Sequence, residues 1–185
     1  DRVKKGFTVI QIVAGLYPDM PWLDERGKNE AGFPWNEDFS CLHPDYFDMA
    51  DLRIAALVEA GLTPCIVGCW GYFMMWMGVE RMKRHWRNLV ARYGAYPVVW
   101  CLAGEGVMPY YLSEDREGDQ KSQKKGWTEL ASYVQQIDPF EHLVTIHPTD
   151  SARNQVEDDS LLDFDMLQTG HSDRRSIPNT VTRVI

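Results

Sequence analysis

Five short apolar runs, separated by helical patterns, constrain this chain more than any other feature. They cover residues 7–14, 62–70, 97–103, 143–147 and 164–169, each β-branched or apolar and bounded by turn signals. Residues 45–60 read as a helix stopped by Gly61. Residues 79–93 place Val79, Met82, Trp86, Leu89, Val90 and Tyr93 on one face and stop at Gly94. On that helix His85 is predicted at an exposed or boundary position. Residues 122–137 place Trp127, Leu130, Ala131, Val134 and Ile137 on one face, and Asp138-Pro139 ends them; residues 154–162 carry a weaker, short helical pattern. Such alternation asks for right-handed crossovers and a parallel sheet. The runs are apolar on both faces, as a sheet covered on both sides requires. No Gly-x-Gly-x-x-Gly follows the first run and no phosphate loop occurs, which disfavours a nucleotide-binding domain.

The pattern is an α/β fold, and residues 1–185 read as one domain, but two architectures remain open. An open doubly wound sheet of five strands fits this length. A closed (β/α)8 barrel takes eight strands and typically about 250 residues. Residues 1–6 resemble the last turn of a helix with a C-cap glycine, which favours a piece of a barrel, and residues 177–185 follow without completing another clear unit. The stretch 15–44 is long and irregular, with Trp22, Phe33 and Trp35, and reads either as a functional loop or as a cover over the sheet.

A net charge of -8 argues against capture of nucleic acid or an anionic membrane, and no stretch approaches the roughly 20 apolar residues of a membrane span. Seven Trp and eight Tyr supply faces that stack on sugars as readily as they fill cores. Cys65, Cys69 and Cys101 lie inside apolar runs and read as buried free thiols, while Cys41 sits in the long loop.

Polar groups collect where the runs end. The second ends in Trp70-Gly71, the third in Gly104-Glu105, the fourth in His147-Pro148 and the fifth in Gln168-Thr169-Gly170-His171. If the strands are parallel neighbours, these ends converge on one rim, the rim that carries chemistry in barrels of this kind. A charge ending a buried strand needs a reason, and a carboxylate there can donate or accept a proton, so Glu105 is the candidate catalytic group. Trp70 can floor a sugar ring; His147, Gln168 and His171 can position hydroxyls. The plainer alternatives are loop caps for Glu105 and the two histidines, and rim packing for Trp70. Gln11, inside the first run, reads as an interior hydrogen-bonding residue, and Asp19 as a solvated loop residue. No His-x-His or His-Glu-x-x-His occurs, so no metal site is predicted.

Taken together these motifs resemble the apiosidase-like family of (β/α)8 glycoside hydrolases, bacterial enzymes associated with plant pectin side chains. The matching pieces are Gly6-Phe-Thr-Val-Ile-Gln11, Tyr46-Phe-Asp48 with Asp51, Gly61-Leu62, Trp70-Gly71, Trp86 with Ala91-Arg-Tyr-Gly94, and Val98-Val-Trp100 with Gly104-Glu105. Thr145-Ile-His-Pro148 and the long motif Leu162-Asp-Phe-Asp-Met-Leu-Gln-Thr-Gly-His171 complete the set. The resemblance implies a partial (β/α)8 barrel with strands two to six present and strands one, seven and eight missing. It implies that Glu105 is the acid/base carboxylate, although many members carry Gly-Asp where this chain has Gly-Glu. The nucleophile is then expected at the end of strand seven, outside the chain, which leaves this segment inactive by itself. Cleavage of O-glycosidic bonds in plant-type poly- or oligosaccharides follows, with a carbohydrate partner, no cofactor, and a periplasmic or secreted location. A metal-dependent hydrolase on the same barrel and a non-catalytic carbohydrate-binding barrel are the alternatives.

Overall fold

The computed structural model describes residues 1–170 and 173–184. Four parallel strands form one sheet in the order β1-β2-β3-β4: β1 (Val9–Val13), β2 (Thr63–Val67), β3 (Val99–Cys101) and β4 (Val144–Thr145). The register sets Gln11 beside Cys65, Cys65 beside Val99, and Cys101 beside Thr145. Helices α1 (Pro44–Glu59), α2 (Phe73–Tyr93) and α3 (Arg116–Ile137) make the crossovers, and α4 (Asp173–Val184) follows the sheet. Among the described residues no helix is long and apolar enough to cross a membrane.

Local chemistry sets the helix ends. Pro44 opens α1, where its missing N–H costs nothing. Gly61, at φ +82°, closes it: Gly61 N–H bonds to Val58 O and Leu62 N–H to Leu57 O, the paired bonds of a left-handed glycine cap. At the start of α3 the Asp115 carboxylate accepts from Gly118 N at 2.9 Å. At its far end the buried Asp138 works against its own desolvation. Donors from Trp100 Nε1, His142 Nδ1 and the backbone N–H of Phe140 and His142 hold its carboxyl below the usual value. That cluster ties the end of α3 to the middle of β3.

Trp35, Trp86, Trp100 and Trp127 are fully buried. Trp86 of α2 meets Trp100 of β3 edge-on, with ring centroids 5.8 Å apart. Cys65, Cys69 and Cys101 are buried free thiols and Cys41 is exposed. The sheet is strongly curled. In a flat sheet β1 and β4 lie about 14 Å apart, three strand spacings, yet Gln11 of β1 reaches His147, just past β4, at 3.3 Å.

Several sequence expectations are corrected. The sheet has four strands among the described residues, not five. Residues 164–169 contribute only an isolated antiparallel bridge, Ser151 with Leu167. The backbone of that segment divides its bonds: Asp163 N donates to Val144 O, while Met166 O and Gln168 N pair with Ala152 N and Asp150 O. Residues 154–162 form two short 3-10 turns, Ala152–Gln155 and Asp159–Leu161. Residues 177–184, expected to follow without completing a clear unit, are part of α4. The predicted helix at 79–93 is the second part of α2. A non-helical Gly78 (φ 73°, ψ 162°) separates it from an earlier turn starting at Phe73. His85 is not exposed but fully buried, receiving Trp35 Nε1–H at 3.2 Å and bonded to Gly68 O at 2.8 Å. The stretch 15–44 thus sends Trp35 into the core and packs Trp22 and Phe39 against Phe73.

Candidate active site

Glu105 sits just beyond β3 with φ +46°, a left-handed conformation that a side chain with a Cβ rarely adopts. Such strain persists only where neighbours over-determine it. Here they do. Trp127 Nε1 of α3 donates to Gly106 O at 2.6 Å, and Val107 N donates to Gln155 Oε1 at 3.0 Å. Met108 N closes the turn onto Glu105 O at 2.8 Å. The bridge between Trp70 and Gly104 extends the β2–β3 pairing to the rim. A Cβ on Gly104 lies 2.1 Å from the Trp70 ring, and one on Gly71 lies 2.3 Å from Glu105 O, so both positions require glycine for close approach.

Gly104→Ala therefore has to push the Trp70 ring out of place. We expect a loss of about 1–3 kcal/mol of stability, the usual cost of overpacking, together with a changed Trp fluorescence spectrum. Urea unfolding monitored by fluorescence checks both; an unchanged spectrum and midpoint would contradict this close contact.

The rim brings together most of the residues predicted for it. Gln168 Nε2 donates to Glu105 Oε1 at 3.0 Å. His147 Nε2 lies 2.7 Å from Gln168 Oε1, and its Nδ1 lies 3.3 Å from Gln11 Nε2. The Trp70 and His147 rings are 6.0 Å apart between centroids, at 40°. His171 lies outside the described residues. Gln11 does make a hydrogen bond, as read from its place in the first run, though from an exposed position on β1.

Sequence reasoning missed Tyr111. Its hydroxyl donates to Asp19 Oδ1 at 2.5 Å, joining the long loop after β1 to the loop that follows Glu105. The bond to Asp19, then burial and the charges of Asp19 and Glu105, push the phenol up to about 12. Asp19 is thus engaged rather than merely solvated. Tyr72, Trp76 and Tyr110 pack beside it in tilted and edge-on contacts, with Tyr72–Trp76 and Trp76–Tyr110 centroids both 4.9 Å apart. The signal available was the run of Tyr110, Tyr111 and Leu112 in a loop, large side chains of which two are more than half exposed.

A cleft of about 780 Å³ opens elsewhere, between β1, α1 and the long loop, with Ile12, Tyr46, Phe47, Arg53 and Ile54 among its lining. It contains neither Glu105 nor His147, so the carboxylate rim, not this cleft, is the candidate site. Among the described residues no group of three or more His, Cys, Asp or Glu is placed to hold a metal ion.

Residues 1–185 match the family described as "Apiosidase-like, catalytic domain". The chain belongs to the apiosidase-like family. This apiosidase-like chain is also similar to solved structures of glycoside hydrolases. One, titled "Glycoside hydrolase", aligns with a TM-score of 0.62 at 23% identity, covering 91% of this chain and 36% of the other. Another, a glycoside hydrolase family 5 protein from Bacteroides vulgatus ATCC 8482, aligns with a TM-score of 0.65 at 22% identity, covering 91% and 35%. At these identities the likeness shows the fold alone. The chain thus spans about a third of the length of these structures. No curated protein matches it significantly.

Proposed function

We propose that this apiosidase-like chain supplies the acid/base half of a glycosidase acting on plant-type oligosaccharides or polysaccharides. The observation that carries the reading is Glu105, a carboxylate held by Gln168 on a strained turn at the carboxyl end of a parallel sheet. In barrels that end is where catalytic residues sit. Glu105 protonates the glycosidic oxygen as the bond to the anomeric carbon breaks, then removes a proton from the incoming water. A second carboxylate, from a part of the protein beyond residues 1–185, attacks the anomeric carbon. In a retaining enzyme the two carboxyl groups lie about 5 Å apart. Trp70 offers its ring to the sugar face, and His147, Gln168 and His171 complete the site. The cycle needs no cofactor.

The test uses the full-length protein on pectin-derived oligosaccharides, with and without a chelator. Release of new reducing ends that ignores the chelator is the expected result. Activity abolished by chelator and restored by a divalent cation would favour a metal-dependent hydrolase. Saturable binding with no product would leave a carbohydrate-binding barrel.

A further inference from the structure

Four polar side chains from separate parts of the fold meet end to end at the rim, and their donors and acceptors settle a direction. The amide nitrogen of Gln11 can only donate, so His147 Nδ1 accepts from it at 3.3 Å. His147 is then the Nε2–H tautomer, and that hydrogen points to Gln168 Oε1 at 2.7 Å. With its oxygen so occupied, the Gln168 amide turns its nitrogen to Glu105 Oε1 at 3.0 Å. The chain runs Gln11 to His147 to Gln168 to Glu105, and both ring nitrogens of His147 are engaged within it.

The backbone holds the links in place. His147 N donates to Ala103 O at 2.9 Å and His147 O accepts from Gly106 N at 3.2 Å, so the histidine is pinned on both sides of Glu105. Gln168 N donates to Asp150 O at 2.9 Å. Gln168 and the His147 tautomer are both neutral. Gln168 thus orients the Glu105 carboxyl through a neutral donor.

We propose that Gln11, His147 and Gln168 are positioning residues that aim the Glu105 carboxyl, rather than ligands of substrate hydroxyls. This rests on the reading of Glu105 as the acid/base. Small misplacements of a reacting group are costly in turnover and nearly silent in binding.

The experiment compares Gln168→Leu, His147→Ala, His147→Gln and Glu105→Gln in the full-length protein, on an oligosaccharide that the wild type cleaves. The first two are expected to lower kcat by about 10- to 100-fold with KM within about twofold. His147→Gln, which keeps one donor and one acceptor, is expected to recover most of the loss. A rise in KM with kcat unchanged in Gln168→Leu and His147→Ala makes them substrate ligands and overturns the proposal. Full activity in Glu105→Gln sinks the acid/base reading itself, a separate result. Should the truncated variants not fold, nitrogen-15 spectra of histidine-labelled wild type decide. Neutral His147 protonated at Nε2 supports the relay, and the Nδ1–H tautomer or an imidazolium at pH 7.5 overturns it.

Discussion

Replacing Glu105 with Gln is expected to lower kcat of the full-length enzyme by about 10²–10⁴-fold, the range general acid/base catalysis supplies. The substitution keeps size and shape. Its amide oxygen still accepts from Gln168 Nε2, so the turn held by Trp127 and Gln155 stays intact. What is lost is the proton. KM and the urea midpoint are expected to stay near their wild-type values, which separates lost chemistry from lost fold. The size of the loss depends on the leaving group. An aryl glycoside whose phenol departs without protonation needs no acid in the first step, so the defect in bond cleavage shrinks there. A uniform loss across leaving groups would place Glu105 outside proton transfer to the glycosidic oxygen.

Acid is expected to weaken the fold by about 3 kcal/mol through His85 alone. Burial holds this imidazole at about 4, against 6.5 when free, with the bond to Gly68 O opposing the shift. The geometry gives the reason. Nε2–H donates to Gly68 O, and Nδ1 receives the Trp35 indole N–H, so a second proton on Nδ1 would confront another donor. Between pH 6.5 and 4 the unfolded chain takes up a proton that the folded chain refuses. Stability is therefore full above about pH 6.5, falls with pH through that window, and levels off below about 4. Carboxylates add their own acid sensitivity, so the measurement is a difference. Urea unfolding of wild type and His85→Gln at pH 7.5 and 4.5 should show a shallower fall in the variant. Parallel falls would mean that the wild-type imidazole takes its second proton in the folded state.

The strands and crossovers were legible because buried runs and amphipathic faces leave a periodic trace, and β1 to β4 each lie inside a predicted run. The regular strands are shorter than the runs, although single interstrand bonds such as Gly104 N to Cys69 O and His147 N to Ala103 O carry the pairing on toward the rim. Residues 164–169 have the composition of a strand, but composition does not say which partner the backbone takes, and here the turn at 150–152 shares it with β4. The start of α3 was placed too late because its first two turns, from Arg116 through Lys121, are polar and show no apolar face. His85 was misplaced although it lies three residues from Met82 and four from Leu89, on the buried side; its partner Trp35 comes from an irregular stretch with no period to read. At the rim, the ends of the apolar runs pointed to Glu105, Trp70, His147 and Gln168, although the last run is not a strand. The relay from Gln11 was not readable, because it depends on how far the sheet curls, and no local pattern encodes curvature.

The break at Gly78 divides α2 into two pieces with different duties. Beyond it, Met82, His85, Trp86 and Leu89 are locked into the interior. Before it, Phe73, Met74 and Met77 are buried in the same core, while the half-buried Trp76 meets Tyr72 and Phe73 at tilted and edge-on angles and Met75 stands out to solvent. A helix continuous through residue 78 would transmit every change of the rim turn to the core as a rotation about one axis. The interruption lets the two pieces take separate orientations while both pack into one core. The turn before Gly78 can therefore aim Trp76 at Tyr110 of the rim loop while the helix beyond keeps the axis that buries Met82, His85 and Trp86.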